Sequence, residues 1–269
     1  MEGQVIGRSE HRAFAGMLCC AFLSVLLAFA SAARLRAAEV SVWIYHNYPP
    51  FIIDMTGERG LSYDLARMLG DMSDGAFDFQ VMVLPRQRLN QRLEAGQPGL
   101  VMWANPAWFG DTGRTRYRWT TPILKDRNVV ISPTDVAFEY SGPRSLTGAM
   151  LVGVRGHRYQ DVDRLVAGRL VDRMDVRSER SLVQFIASNR GRVAIVAESA
   201  MTYYIQNLGL GDAIHISDQP HSNYHRYIMV QPDLEDVRDF LEDAVPKLIA
   251  SRAWQKIISD YGLIRPDSP

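Results

Sequence analysis

The sequence predicts an α/β protein built from two units, and three observations carry that prediction. Between residues 40 and 104, apolar strand-like runs alternate with helical periodicities in the order β-α-β-α-β, the pattern of a largely parallel sheet with helical crossovers. The pattern restarts after residue 133. One more apolar strand, near residue 228, follows the second unit and precedes two amphipathic helices. A chain that crosses twice between units places two strands at their junction. A ligand then lies in the cleft between the units, at the C-terminal ends of the strands.

Taken in order, residues 40–45 read as the first strand. Leu61, Leu65, Met68, Leu69 and Met72 recur at helical spacing, with Ser62 as N-cap. Phe77, Phe79, Val81 and Val83 alternate as a strand does. A short helix with Leu89 and Leu93 ends at Gly96, and Pro98-Gly99 turns into a buried strand over Leu100–Ala104. Residues 128–132 form another apolar strand. The second unit has a strand at 151–154 and a helix with Val162, Leu165 and Val166. A short strand at 174–177 and a helix with Leu182, Phe185 and Ile186 follow. A buried strand at 193–197 leads to a helix at 200–208, and Ile214 and Ile216 close the unit. A strand at 227–230 then precedes a helix carrying Leu234, Val237, Leu241, Ala244, Val245 and Leu248. Trp254, Ile257, Ile258 and Tyr261 mark the last helix.

Composition excludes some functions. The chain has 269 residues, 47% hydrophobic and 22% charged, the balance of an ordinary globular protein. Lys plus Arg and Asp plus Glu are both 30, so no basic excess points to nucleic acid. Residues 13–33 are uncharged and rich in Leu, Phe and Ala, with Arg8 and Arg12 before them and the small-x-small site Ala30-Ser31-Ala32 at their end. This reads as a cleaved signal peptide over residues 1–32. The run is also long enough for an uncleaved anchor. Both cysteines, Cys19 and Cys20, fall inside it without a lipobox, which predicts a mature chain free of thiols, disulfides and cysteine metal sites. His221 and His225 are four apart but read as loop, so no metal site is expected. No phosphate-binding glycine loop, Ser-His-Asp order or paired-carboxylate motif stands out, and no cofactor is expected.

Several motifs resemble one family. Tyr48-Pro49-Pro50-Phe51 follows the first strand, and Gly60-Leu61-Ser62-Tyr63-Asp64-Leu65 starts the first helix. Together they resemble the opening of family 3 extracytoplasmic solute-binding proteins, the amino-acid-type substrate-binding components of ABC importers. The resemblance runs from about Val40 to Leu263. It implies a two-lobed periplasmic-binding-protein-like fold of type II, each lobe a mostly parallel sheet flanked by helices, with a two-strand hinge. It also implies a discontinuous first lobe at 39–133 and 225–269, and a second lobe at 134–224.

The resemblance implies site residues as well. Tyr48 stacks on the ligand, and Tyr45 stands where many relatives carry an Asp. The third strand ends in Met102-Trp103-Ala104-Asn105-Pro106, where relatives supply hydroxyls. Here Trp103 offers a face and Asn105 a donor and an acceptor. In the stretch from Arg114 to Pro122, one Arg forks onto the ligand carboxylate. Arg114 fits the family spacing best, with Arg116 the alternative. Gly153-Val154-Arg155-Gly156-His157-Arg158-Tyr159 looks like the family's strand-turn-helix, which faces free N–H groups to an anion and brings His157, Arg158 and Tyr159 to the cleft. Glu198, directly after a buried strand, stands where relatives place the Asp that takes the ligand's ammonium. The expected function is periplasmic binding of a small polar solute, an amino acid or analogue, by a monomer that delivers it to a membrane permease. The alternatives are a dehydratase-like enzyme using Glu198 as acid, and a sensory or accessory binding protein.

Overall fold

The computed structural model describes residues 37–263. The expected signal segment, with Arg8, Arg12, Cys19, Cys20 and the 30–32 site, lies outside the described residues. The described residues open with β1 (Ala38–Ile44), α1 (Leu61–Met72), β2 (Phe77–Val83), α2 (Arg86–Glu94) and β3 (Leu100–Ala104). After a short 3-10 turn (Pro106–Phe109) come β4 (Arg118–Trp119) and the long β5 (Leu124–Pro133). Next come β6 (Met150–Val154), α3 (Gln160–Ala167), β7 (Asp172–Val176), α4 (Glu179–Ala187), β8 (Val193–Ala197), α5 (Glu198–Leu208) and β9 (Ile214–Ile216). β10 (Ser222–Val230) runs back between β3 and β5, followed by α6 (Glu235–Ala250) and α7 (Arg252–Asp260).

The strands run in the order β2-β1-β3-β10-β5-β8-β6-β7, with β4 beside β10 and β9 beside β5. β1 pairs parallel with β3, and β6 pairs parallel with both β7 and β8. The connecting strands are antiparallel: β10 to β3 and β5, and β5 to β8. Each end of the strand order therefore keeps a parallel set, and β5 and β10 join them. Both joining strands start earlier than their apolar runs suggest, at Leu124 and Ser222 instead of 128 and 227. Their first halves carry buried polar side chains, among them Asp126 and Arg226, which interrupt the hydrophobic signal.

Two local features set the cleft. The aromatic turn is held by the start of α1: the N–H groups of Leu61 and Ser62 donate to the carbonyls of Pro50 (2.8 Å) and Phe51 (3.0 Å). Free N–H groups at a helix start need such partners. Gly60 makes the approach possible. Its φ is 129°, and a Cβ there would sit 2.7 Å from the Phe51 carbonyl oxygen. Ser62 is not the cap expected; Gly60 holds that position, and the Ser62 hydroxyl accepts from Trp103 Nε1 at 2.8 Å.

The second feature is a bulge in β3. Tyr227 faces Ala104 but Met229 faces Val101, so Met102 and Trp103 together oppose Ile228. Trp103 takes the positive φ of 65° that this requires. As a result Met102 and Trp103 both enter the main core with Leu100, while Val101 and Ala104 pack in a second cluster with Trp43, Leu89 and Met229.

Candidate functional site

The residues expected to bind ligand separate into distinct settings. Trp103 is not a wall of the cleft. It is fully buried, stacks on Trp254 at 6.5 Å with rings 10° apart, and touches Phe51 at 5.0 Å. The bulge turns its indole into the core. Asn105 has both ends engaged: Oδ1 accepts from the Ala107 N–H at 3.0 Å, and Nδ2 donates to the His225 carbonyl at 2.9 Å. Glu198 is taken up by Arg127, whose Nε donates to Oε2 at 2.8 Å while Nη2 bonds Oε1. A carboxylate held by both arms of a guanidinium is matched already.

Arg114 and Arg116 are exposed on a loop organised by Asp111. The buried Asp111 carboxylate accepts from the N–H groups of Thr115 (2.8 Å), Arg116 (3.0 Å) and Tyr117 (3.2 Å), and from Trp119 Nε1 (2.8 Å). Burial opposes its charge, yet these donors hold its pKa below the usual carboxylate value. Arg114 lies over the Tyr227 ring at 4.8 Å, and Arg116 over Tyr117 at 5.2 Å. Arg158 is 81% exposed and 3.7 Å from Asp163.

The other aromatic and histidine candidates do converge. Their centre is Arg226 on β10, which the sequence reading passed over. Its pKa rises; burial opposes the charge, but Tyr224 and Asp126 favour it. Arg226 is 1% exposed and Asp126 on β5 is 2% exposed. Asp126 faces Tyr224 across the ladder, which puts Arg226 on the diagonal. All five guanidinium N–H groups find acceptors. Nε and Nη2 donate to Asp126 Oδ2 at 2.9 and 2.7 Å. Nη2 also reaches Tyr224 Oη at 3.2 Å, and Nη1 reaches the Trp103 carbonyl at 3.3 Å and His46 Nε2 at 3.1 Å. Phe51, Tyr224 and Trp108 present ring faces to the guanidinium at 4.6, 5.2 and 5.5 Å. Asp126 ties this group to the start of α5, accepting from the Ser199 hydroxyl at 2.8 Å.

The bonding fixes the state of His46. A guanidinium only donates, so Nε2 accepts and Nδ1 carries the proton. Nδ1 then donates to Tyr48 Oη at 3.0 Å. Burial, then the charge of Arg226, hold the imidazole pKa well below its ordinary value. Tyr48 is itself buried, and its own hydroxyl proton has no acceptor among the described residues. Tyr45 stands beside His46 at 4.0 Å and Phe109 at 5.8 Å, and its buried hydroxyl is unpartnered among the described residues. Burial pushes it up to about 12.

On the side of β8, Tyr159 donates to the Ile195 carbonyl at 3.2 Å and meets His221 at 5.2 Å and His157 at 6.4 Å. His221 bonds Asp161 at 3.1 Å and Ser222 at 3.2 Å. Ser222 receives Asn128 Nδ2 at 3.0 Å, and Asn128 Oδ1 receives Tyr224 Oη at 3.4 Å, which closes the path back to Arg226. His157 lies 3.5 Å from Glu179, a buried acid at the first position of α4. Burial raises the Glu179 pKa. Asp126, Tyr224, Arg226 and Glu179 were all missed from sequence. The alternation Asp126-x-Asn128 and Tyr224-x-Arg226 is a strand signal that was available, but it is polar. Among the described residues no three His, Cys, Asp or Glu side chains are grouped to hold a metal.

No protein-family model and no curated protein sequence matches the chain. Solved structures do. An ancestral arginine-binding protein bound to arginine superposes with a TM-score of 0.66 at 14% identity, over 84% of this chain and 99% of that one. A histidine-bound ABC uptake transporter substrate-binding protein from Streptococcus pneumoniae gives 0.66 at 11% identity, over 86% and 95%. A histidine kinase sensor domain with similarity to periplasmic binding proteins gives 0.62 at 17% identity, over 87% and 100%. At such identities the likeness shows the fold, which is that of the two-lobed periplasmic binding proteins.

Proposed function

We propose that this chain is an exported receptor that closes on a small polar solute, an amino acid or an analogue of one, and delivers it to the permease of an ABC importer. In this reading residues 1–32 are a cleaved signal peptide. Residues 39–133 and 225–269 form the first lobe and 134–224 the second, and the protein acts as a monomer. The observation that carries it is the cluster at the joining strands. Aromatic and polar side chains of both lobes meet there around a buried guanidinium. Closure at such a place removes water from every polar contact and commits the ligand. Tyr48, His157 and Tyr159 are the expected side chains that stay with this site. Trp108 and Tyr224, 5.1 Å apart, join them.

Two measurements test this. Mass spectrometry of whatever small molecule is released on denaturation identifies the ligand. Small-angle scattering with and without it should then show compaction. A bound solute that leaves the scattering profile unchanged argues against a closing receptor. The full-length likeness to a kinase sensor domain supports a second reading, a sensory binding protein. Cross-linking in the native envelope separates the two by the partner it captures, a permease or a signalling protein.

A further inference from the structure

Among the buried charged groups at the joining strands, matching is uneven, and Glu179 stands apart. Arg226 is paired with Asp126. Arg127 is paired with Glu198. Arg173 is held by Asp163 at 2.9 Å, by Asp175 at 2.8 Å and by the His157 carbonyl at 2.8 Å. Arg86 is engaged by the Trp108 carbonyl, by Asn90 and by the faces of Phe109 and Tyr45. Glu179 has no such match. It is 6% exposed, and among the described residues no Lys or Arg reaches it. Its neighbours as donors are its own N–H and His157 Nε2, the latter at 3.5 Å. Buried carboxylates are normally paired or fully hydrogen-bonded, so one in this state marks a place for an incoming donor.

A second buried group is unfinished in the same way. Tyr48, 8% exposed, accepts from His46 and keeps a proton without an acceptor among the described residues. After burial, the charge of Glu179 is a cause of the raised phenol pKa values of Tyr48 in the first lobe and of Tyr159 and Tyr204 in the second.

We infer that Glu179 holds the cationic nitrogen of the ligand, and that the ligand is an amine or guanidine without a carboxylate. This rests on the solute-binding reading above. A cationic nitrogen supplies the donors Glu179 lacks and suits the surrounding rings of Tyr48, Tyr159 and Tyr224. A ligand carboxylate finds no such match. The guanidiniums of Arg226, Arg127, Arg173 and Arg86 are already engaged, and a desolvated anion without a partner is strongly disfavoured. Tyr48 then donates its proton to an uncharged acceptor on the same ligand.

Matched pairs that differ in the carboxylate test this: agmatine and arginine, tyramine and tyrosine, histamine and histidine. Titration calorimetry on the mature chain should find at least one amine bound tenfold or more tighter than its amino acid. Glu179→Gln should weaken that binding at least tenfold, with circular dichroism confirming the fold. Should E179Q not fold, Glu179→Asp replaces it, and the retracted charge should weaken binding several-fold. Amino acids that bind as tightly as their amines overturn the inference. So does amine binding indifferent to the Glu179 variants, or no amine binding at all. An amino acid that binds and compacts the protein sinks this inference and leaves the solute-binding reading standing.

Discussion

Replacing Asp126 by asparagine isolates the energetics of the joining strands. Asp126 and Arg226 are 2% and 1% exposed, so the charge left behind on Arg226 has almost no access to water. Two of its five donors point at one Asp126 oxygen, at 2.9 and 2.7 Å. An asparagine keeps one acceptor oxygen but no charge, and its NH2 faces either Arg226 or the Ser199 donors. Breaking a buried pair from one side costs roughly 3–5 kcal/mol. For a protein of this size that corresponds to roughly 6–20 °C in Tm. Urea unfolding followed by circular dichroism measures the cost. The double variant Asp126→Leu with Arg226→Met should be milder than D126N, because no unmatched charge remains. A D126N cost under about 1 kcal/mol, or a double variant worse than the single one, refutes the argument that Arg226 depends on this carboxylate.

The remaining expectations concern its surroundings. The His46 pKa is depressed in the folded protein, so the unfolded chain binds a proton first as pH falls. Its contribution to stability is present above about pH 6.5 and is lost below it, with a slope of up to ~1.4 kcal/mol per pH unit. His46→Gln should flatten that slope, and parallel urea titrations from about pH 5 to about pH 7.5 with equal slopes would rule the coupling out. Ser62→Ala leaves the buried Trp103 Nε1 without its acceptor and should cost about 1–3 kcal/mol by the same method. Gly60→Ala adds a Cβ against the Phe51 carbonyl at positive φ and should cost more than about 1 kcal/mol. A neutral G60A would mean the aromatic turn yields easily.

The elements that the sequence displays well are those buried on both faces. β3, β6 and β8 are nearly unbroken apolar runs, and Val193–Ala197 was legible to the residue. The joining strands were read short, because residues such as Asp126, Tyr224 and Arg226 turn polar groups into the cleft and break the apolar pattern. The site suffered most where the chemistry depends on partners far apart in sequence. Arg226 and Asp126 are separated by 100 residues, and no local motif couples them. Glu198 looked like a free acid because Arg127, 71 residues away, could not be seen beside it. The loop from Asp111 to Trp119 drew attention through its arginines. Its organising residue is Asp111, whose four accepted bonds leave the arginine side chains outside.

The extra residue in β3 has a consequence for how this strand tolerates change. It acts as a phase shifter: side chains before it and after it obey different parities. Removing Met102 or Trp103 would restore a regular ladder with β10 in which Ala104 still faces Tyr227, so the residues after the deletion keep their faces. The cost would fall on the main core, which loses one of the two adjacent large side chains that both enter it. A shorter β3 is therefore a matter of volume, and the bulge is where this strand can absorb a change of length.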